Sequence, residues 1–155
     1  MEMEAWTKLI GKSQDDEAVK AALAAAGVRK IPKLARDDFE VIFDLKGHGL
    51  WLEMTDEAYL KRLDDQDIGE GPLILTVVGA YLDKSESRDL YKGPLPYSLT
   101  ADMTQTDVRK KLGPSTRSGD VPPFDIWSQD GVEVTAGYTK DLKLAHFNFK
   151  MLRSR

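Results

Sequence analysis

Between Leu73 and Leu82 the chain runs through ten uncharged residues, interrupted in character only by Thr76 and Gly79. The run is far too short for a membrane-spanning helix, which needs about 20 apolar residues. A nearly continuous stretch of Leu, Ile and Val predicts a strand buried on both faces, in the interior of a sheet rather than at its rim. Such a strand needs a partner on either side and a covering layer, and the rest of the chain has to supply both.

Partners are legible on the N-terminal side. Phe39, Val41, Phe43 and Leu45 lie on one face of a strand over 39–45, Gly47-His48-Gly49 makes a turn, and Leu50, Leu52 and Met54 share one side of the returning strand. A helix precedes them. Ser13 or Asp15 serves as its N-cap, Asp15, Asp16 and Glu17 suit the positive end of its dipole, and Val19, Leu23 and Ala26 form its apolar stripe before Gly27 ends it. Asp56 to Leu63 forms a short helical turn, and an acidic loop holding Asp64, Asp65, Asp67, Glu70 and Gly71 leads into the apolar run.

From Asp83 to Leu99 the chain is charged and then rich in Gly93, Pro94 and Pro96, which marks a boundary. The first half therefore covers 1–90 and carries the acidic insertion, a linker covers 91–99, and the second half covers 100–155. In the second half Thr104 caps a short helix with Asp107 at the third position, a capping-box pattern. Val108 and Leu112 form its apolar side and Gly113-Pro114 stops it. A Ser/Gly/Pro loop to Pro123 precedes strands over 124–128, 132–138 and 142–151, with Asp130-Gly131 as a tight-hairpin signal and Thr139-Lys140-Asp141 as the second turn. The expected fold is α+β: two helix-plus-three-strand antiparallel repeats forming a sheet with helices on one face.

The segment Met103-Thr104-Gln105-Thr106-Asp107-Val108-Arg109-Lys110-Lys111-Leu112-Gly113-Pro114-Ser115 resembles the helix motif of the SmpA/OmlA-type outer-membrane lipoproteins and of the β-lactamase inhibitor protein family. Pro114 follows Gly113 directly, one place earlier than in the commonest form of that motif. The resemblance covers residues 99–151 and reaches the first half only through the order of elements. It implies a tandem sheet with a face suited to protein recognition. It does not extend to a lipid-bearing cysteine or to disulfides, because the chain has no cysteine. Tyr91-Lys92-Gly93-Pro94-Leu95-Pro96-Tyr97-Ser98-Leu99 is also similar to a segment of small bacterial immunity partners of secreted toxins.

Composition narrows the function classes. At 155 residues the chain fits one domain or two small subdomains sharing a core. The absence of cysteine removes thiol nucleophiles, thiolate metal sites and disulfides. A net charge of −4 without a basic stripe argues against nucleic acid, whose affinity comes largely from phosphate contacts. The acidic start, Met1-Glu2-Met3-Glu4, lacks the pattern of a signal peptide, so a cytoplasmic location with no membrane partner is expected.

Chemistry-bearing patterns are missing. His48 sits between two glycines and His146 in the last strand, without metal-ligand spacing. Counting from Asp65, an EF-hand reading puts Glu70 where glycine is required and Thr76 where glutamate is required. Adjacent carboxylates such as Asp15/Asp16, Asp37/Asp38 and Asp64/Asp65 point in different directions on any regular element. The expectation is no enzyme activity, no cofactor and no metal.

Binding residues are easier to nominate. With Leu50, Leu52 and Met54 inward, Trp51 and Glu53 face outward. With Phe124 and Ile126 inward, Trp127 is outward beside Asp125 and Gln129. Trp51, Glu53, Asp56, Glu57, Asp64, Asp65, Asp67 and Trp127 are therefore the expected partner-binding set. The expected partner is a protein, most concretely a cationic bacterial toxin whose active site this chain would block as an immunity protein. An enzyme using His48 with carboxylates or tyrosines, and a homodimeric scaffold joined through sheet edges, are the alternatives.

Overall fold

The computed structural model describes residues 1–62, 69 and 71–152. Leu73–Tyr81 forms strand β3, and eight of its nine residues are buried. Its neighbours are β2 (Leu50–Asp56) and β7 (Leu144–Met151), both antiparallel. β1 (Glu40–Leu45) lies outside β2, while β6 (Val132–Tyr138), β5 (Pro123–Gln129) and β4 (Arg117–Asp120) continue beyond β7. The result is an α+β fold with one seven-stranded antiparallel sheet in the order β1-β2-β3-β7-β6-β5-β4. The apolar run is an interior strand, and the last strand of each half meets the other there.

Thr76 has a specific role within that strand. The pairing steps from Glu53↔Val77 to Met54↔Leu75, so Thr76 is the extra residue of a β-bulge. Its buried hydroxyl lies 2.9 Å from the Thr55 hydroxyl and 3.2 Å from the Glu53 carbonyl oxygen, so the polar group is satisfied where an apolar side chain would leave Thr55 unpaired. Beyond the reach of β7, the edge of β3 is taken by the N-terminal segment. The Gly11 and Gln14 amides donate to Leu75 and Leu73 carbonyls at 2.8 Å, and the Leu75 amide donates to the Lys12 carbonyl at 3.0 Å.

Among the described residues four α-helices accompany the sheet: α1 (Met3–Thr7), α2 (Glu17–Ala25), α3 (Glu57–Lys61) and α4 (Gln105–Leu112). Met3 and Trp6, Val19 and Leu23, and Val108 join Leu50, Leu52, Val78, Ala80, Val134 and Phe147 in a shared core. Burying each of the large members is worth roughly 1.5–3 kcal/mol. The N-cap of α2 is Asp16, whose carboxylate accepts from the Ala18 amide at 2.9 Å; Ser13 instead closes a turn by accepting from the Asp15 amide. The capping box of α4 is present in both directions between Thr104 and Asp107. Short α1 has no counterpart among the elements expected from the sequence, and β4 lies inside the segment expected to be a loop.

The linker is part of the packing. Tyr91, Leu95 and Leu99 are buried in the core. The Tyr91 hydroxyl accepts from the Met3 amide at 2.9 Å and donates to the Pro94 carbonyl at 2.8 Å, tying the linker to α1. The linker backbone crosses over Gly49 so closely that any side chain there would collide with Leu90 and Tyr91. Among the described residues no helix is long and apolar enough to cross a membrane.

Candidate functional site

Period two in the strands sends one set of side chains into the core and the other to the opposite face of the sheet. On that opposite face the registers align Asp44, Trp51, Gly79, Asn148, Thr135 and Ile126 in one row across six strands. The neighbouring row holds Tyr81, His146, Gly137, Phe124 and Gly119.

Rings and glycines interlock in these rows. The Trp51 indole occupies the space that a Cβ on Gly79 would fill; the His146 imidazole does the same over Gly137, and the Phe124 ring over Gly119. Each ring thus lies down on the backbone of the next strand. Trp51 also packs against Tyr81, with centroids 4.7 Å apart, and meets His146 edge-on at 6.0 Å. These contacts hold three half-buried aromatic side chains in one continuous patch.

Charges border the patch. The Tyr81 hydroxyl donates to an Asp44 carboxylate oxygen at 2.6 Å, and the Arg88 guanidinium sits 4.1 Å from the centre of the Tyr81 ring while pairing with Glu86 at 3.0 Å. Burial, reinforced by Asp44, pushes the Tyr81 phenol up to about 12, so it is a neutral donor at physiological pH. Burial lowers the His146 imidazole against a smaller opposing effect of Glu86. Its Nδ1 is buried without a hydrogen-bond partner among the described residues. Glu53 is raised by burial and then by nearby Glu40, with Lys150 and the Trp51 indole acting the other way.

Of the residues expected to bind a partner, Trp51 and Glu53 lie on this face. Trp127 does not. It is 4% exposed, on the core side of β5, and its indole N–H donates to the Gly113 carbonyl at 3.0 Å under α4. The inward face of β5 is thus the reverse of the one expected, because Asp125 on the same side is an ion-paired buried acid rather than a solvated one. Its carboxylate takes Arg109 Nε and Nη2 at 3.0 and 2.8 Å and the Tyr138 hydroxyl at 2.8 Å. Burial pushes the Asp125 carboxyl up, and the bonds from Arg109 and Tyr138 more than reverse this, leaving it below the usual range. Phe124 and Ile126 therefore take the other face.

Asp56 is also withdrawn from the surface. It is fully buried, caps α3 by accepting from the Tyr59 amide at 3.2 Å, and accepts from the Gly69 amide at 3.0 Å with its other oxygen. This placement removes Asp56 from the expected acidic patch, because both oxygens are spent on backbone donors. Glu57 pairs with Lys61 at 3.6 Å along α3. Asp64, Asp65, Asp67 and Glu70 lie outside the described residues. Sequence reasoning missed Tyr81, Asp44, Arg88 and His146 as members of the patch. Gly137, which interrupts β6 opposite His146, is a signal that could have found His146; Tyr81, Asp44 and Arg88 join the patch through long-range contacts that leave no local pattern.

His48 and His146 do not converge. His48 lines a surface depression of about 610 Å3 with Glu2, Arg88 and Asp89, which adjoins the patch at Arg88 but is not lined by His146. Asp89 is engaged there, accepting from the Gly47 amide at 2.9 Å. Among the described residues no group of three or more His, Asp or Glu side chains is placed to hold a metal ion.

No family model matches the chain, and no curated protein matches it. Among solved structures it is similar to a DUF4309 family protein, YjgB, from Bacillus subtilis. The two share 15% identity, with 86% of this chain and 78% of that chain covered and a TM-score of 0.46. A likeness at this level carries no functional argument.

Proposed function

We propose that the chain is a protein-binding inhibitor without catalytic activity, and that it grips its partner with the sheet face centred on Trp51, Tyr81 and His146. The observation that carries this reading is the seating of the Trp51 and His146 rings on glycine backbone. Rings held this way lose little freedom on binding, and rigid amphipathic aromatics bordered by charges are the usual anchors of protein interfaces. The acids Glu40, Asp44 and Glu53 stand on the same face toward its β1 end. They favour a cationic partner, in keeping with a cytoplasmic immunity protein that covers a bacterial toxin's active site. In this reading the β1-β2-β3 and β5-β6-β7 meanders, meeting at β3 and β7, descend from one helix-plus-three-strand unit with its helices on one face.

The test is capture of the partner by the immobilised chain, compared with a Trp51→Ala bait and a Lys20→Ala control at an exposed position of α2. Loss of a central aromatic anchor costs about 2 kcal/mol or more, so Trp51→Ala should weaken the complex by roughly 30-fold while the control leaves it intact. A partner that binds both baits equally overturns the reading.

A further inference from the structure

β1 ends the sheet, and its outer edge pairs with nothing among the described residues. The Asp56 amide donates to the Phe39 carbonyl at 2.8 Å, and the register continues as Glu40↔Thr55 and Val41↔Met54. In an antiparallel ladder the direction of the backbone groups alternates along the strand. Val41, Phe43 and Leu45 therefore turn their N–H and C=O groups toward β2, and Glu40, Ile42 and Asp44 turn theirs outward.

The side chains of those same three residues stand on the Trp51 face. Ile42 is 59% exposed there, between two acids on its own strand and opposite Glu53 on β2. An antiparallel pairing of β1 with a second copy, centred on Ile42, would set each Glu40 against the other copy's Asp44. Like charges directly opposite one another destabilise a strand pair. The edge is thus protected against its own kind by charge alone, without the proline, lysine or bulge that closes other edges. The opposite rim offers much less, because β4 has only four residues and runs into Pro122 and Pro123, which have no N–H to give.

We propose that β1 accepts an antiparallel strand from the partner, one carrying Lys or Arg at alternate positions on either side of an apolar residue. This rests on the protein-binding reading and specifies how the partner enters. The six outward backbone groups supply the hydrogen bonds, Ile42 meets the apolar residue, and Glu40 and Asp44 meet the two cations. The added strand would continue the sheet and place the rest of the partner beside Trp51.

The probe is a capped peptide, Thr-Lys-Thr-Val-Thr-Lys-Thr, set against a twin with both lysines replaced by glutamate, on the whole chain at low salt. Amide hydrogen exchange is read at Ile42 and Asp44. The lysine peptide should slow exchange at both amides and bind at least tenfold more tightly than its twin. Ile42→Pro, which removes the central outward N–H, should abolish the protection. Glu40→Lys/Asp44→Lys, which keeps the backbone edge, should reverse the preference in favour of the glutamate peptide. Equal binding of the two peptides, protection away from β1, or an unreversed preference in the double variant overturns the proposal. The two readings fail separately. If Trp51→Ala weakens the captured partner while the peptide leaves β1 unprotected, only the edge is wrong. If the peptide protects β1 while Trp51→Ala leaves the partner's affinity unchanged, only the face is wrong.

Discussion

The indole of Trp51 fills the space beside Gly79 that any larger residue at position 79 would claim. Gly79→Ala therefore sets a methyl group against a ring that Tyr81 and His146 already confine. The variant should lose about 1–3 kcal/mol, the usual cost of overpacking. Urea denaturation followed by tryptophan emission measures it, and an unchanged midpoint would show that the ring moves aside freely.

Arg109 and Asp125 join α4 to β5. Asp125 is fully buried, so Arg109→Ala leaves a carboxylate without its cation, and a loss of about 3 kcal/mol is expected. The folded pKa of Asp125 lies below its ordinary value. Its stabilising contribution is thus complete above an ordinary carboxylate pKa of about 3.9 and disappears as the pH falls from there through the depressed value. Stability measured against pH should drop steeply in that acidic window in the native chain and less steeply in Asp125→Asn.

His146 titrates in the same sense from a different cause. Burial holds its folded pKa below the ordinary histidine value of about 6.5. Below that pH the unfolded chain takes up a proton that the folded chain resists, so stability falls as the pH descends through the depressed pKa. An NMR titration should place the imidazole below about 6.5, and Glu86→Gln should lower it further. A value above 6.5 would contradict the burial of the ring.

The two strand tryptophans should respond differently to the same substitution. Trp127→Phe removes the hydrogen bond to the Gly113 carbonyl and should cost about 1–3 kcal/mol, because that acceptor stays beneath α4. Trp51→Phe removes a hydrogen bond from Glu53, a half-buried carboxylate that water can reach, and should cost less stability while weakening partner capture. Thermal melts of the two variants, beside the capture assay, separate anchoring from recognition.

Local rules make much of this fold legible in the amino-acid sequence. The alternation in Phe39–Leu45 and Leu50–Met54, the Asp130-Gly131 hairpin, and the Thr104–Asp107 box depend on residues close in sequence, and each appears where expected. β5 is harder. Period two divides Phe124 and Ile126 from Asp125 and Trp127 but cannot say which pair is inside, and the deciding cation, Arg109, comes from α4. Asp56 poses the same difficulty: an acid that caps α3 and accepts from Gly69 looks in sequence like one facing water. β4 contains Gly119 and lacks apolar character, so only its pairing with β5 makes it a strand.

Because β3 pairs with β7, the most apolar strand of the chain is synthesised well before the one that completes it. While β4 to β7 are still being made, the Val77–Tyr81 edge has no native partner in the chain. Exposed edges of this kind are the sites at which nascent chains associate wrongly. The cell must therefore carry each new copy through an interval in which its greatest hazard is another unfinished copy, and shortening the chain before Leu144 would make that interval permanent.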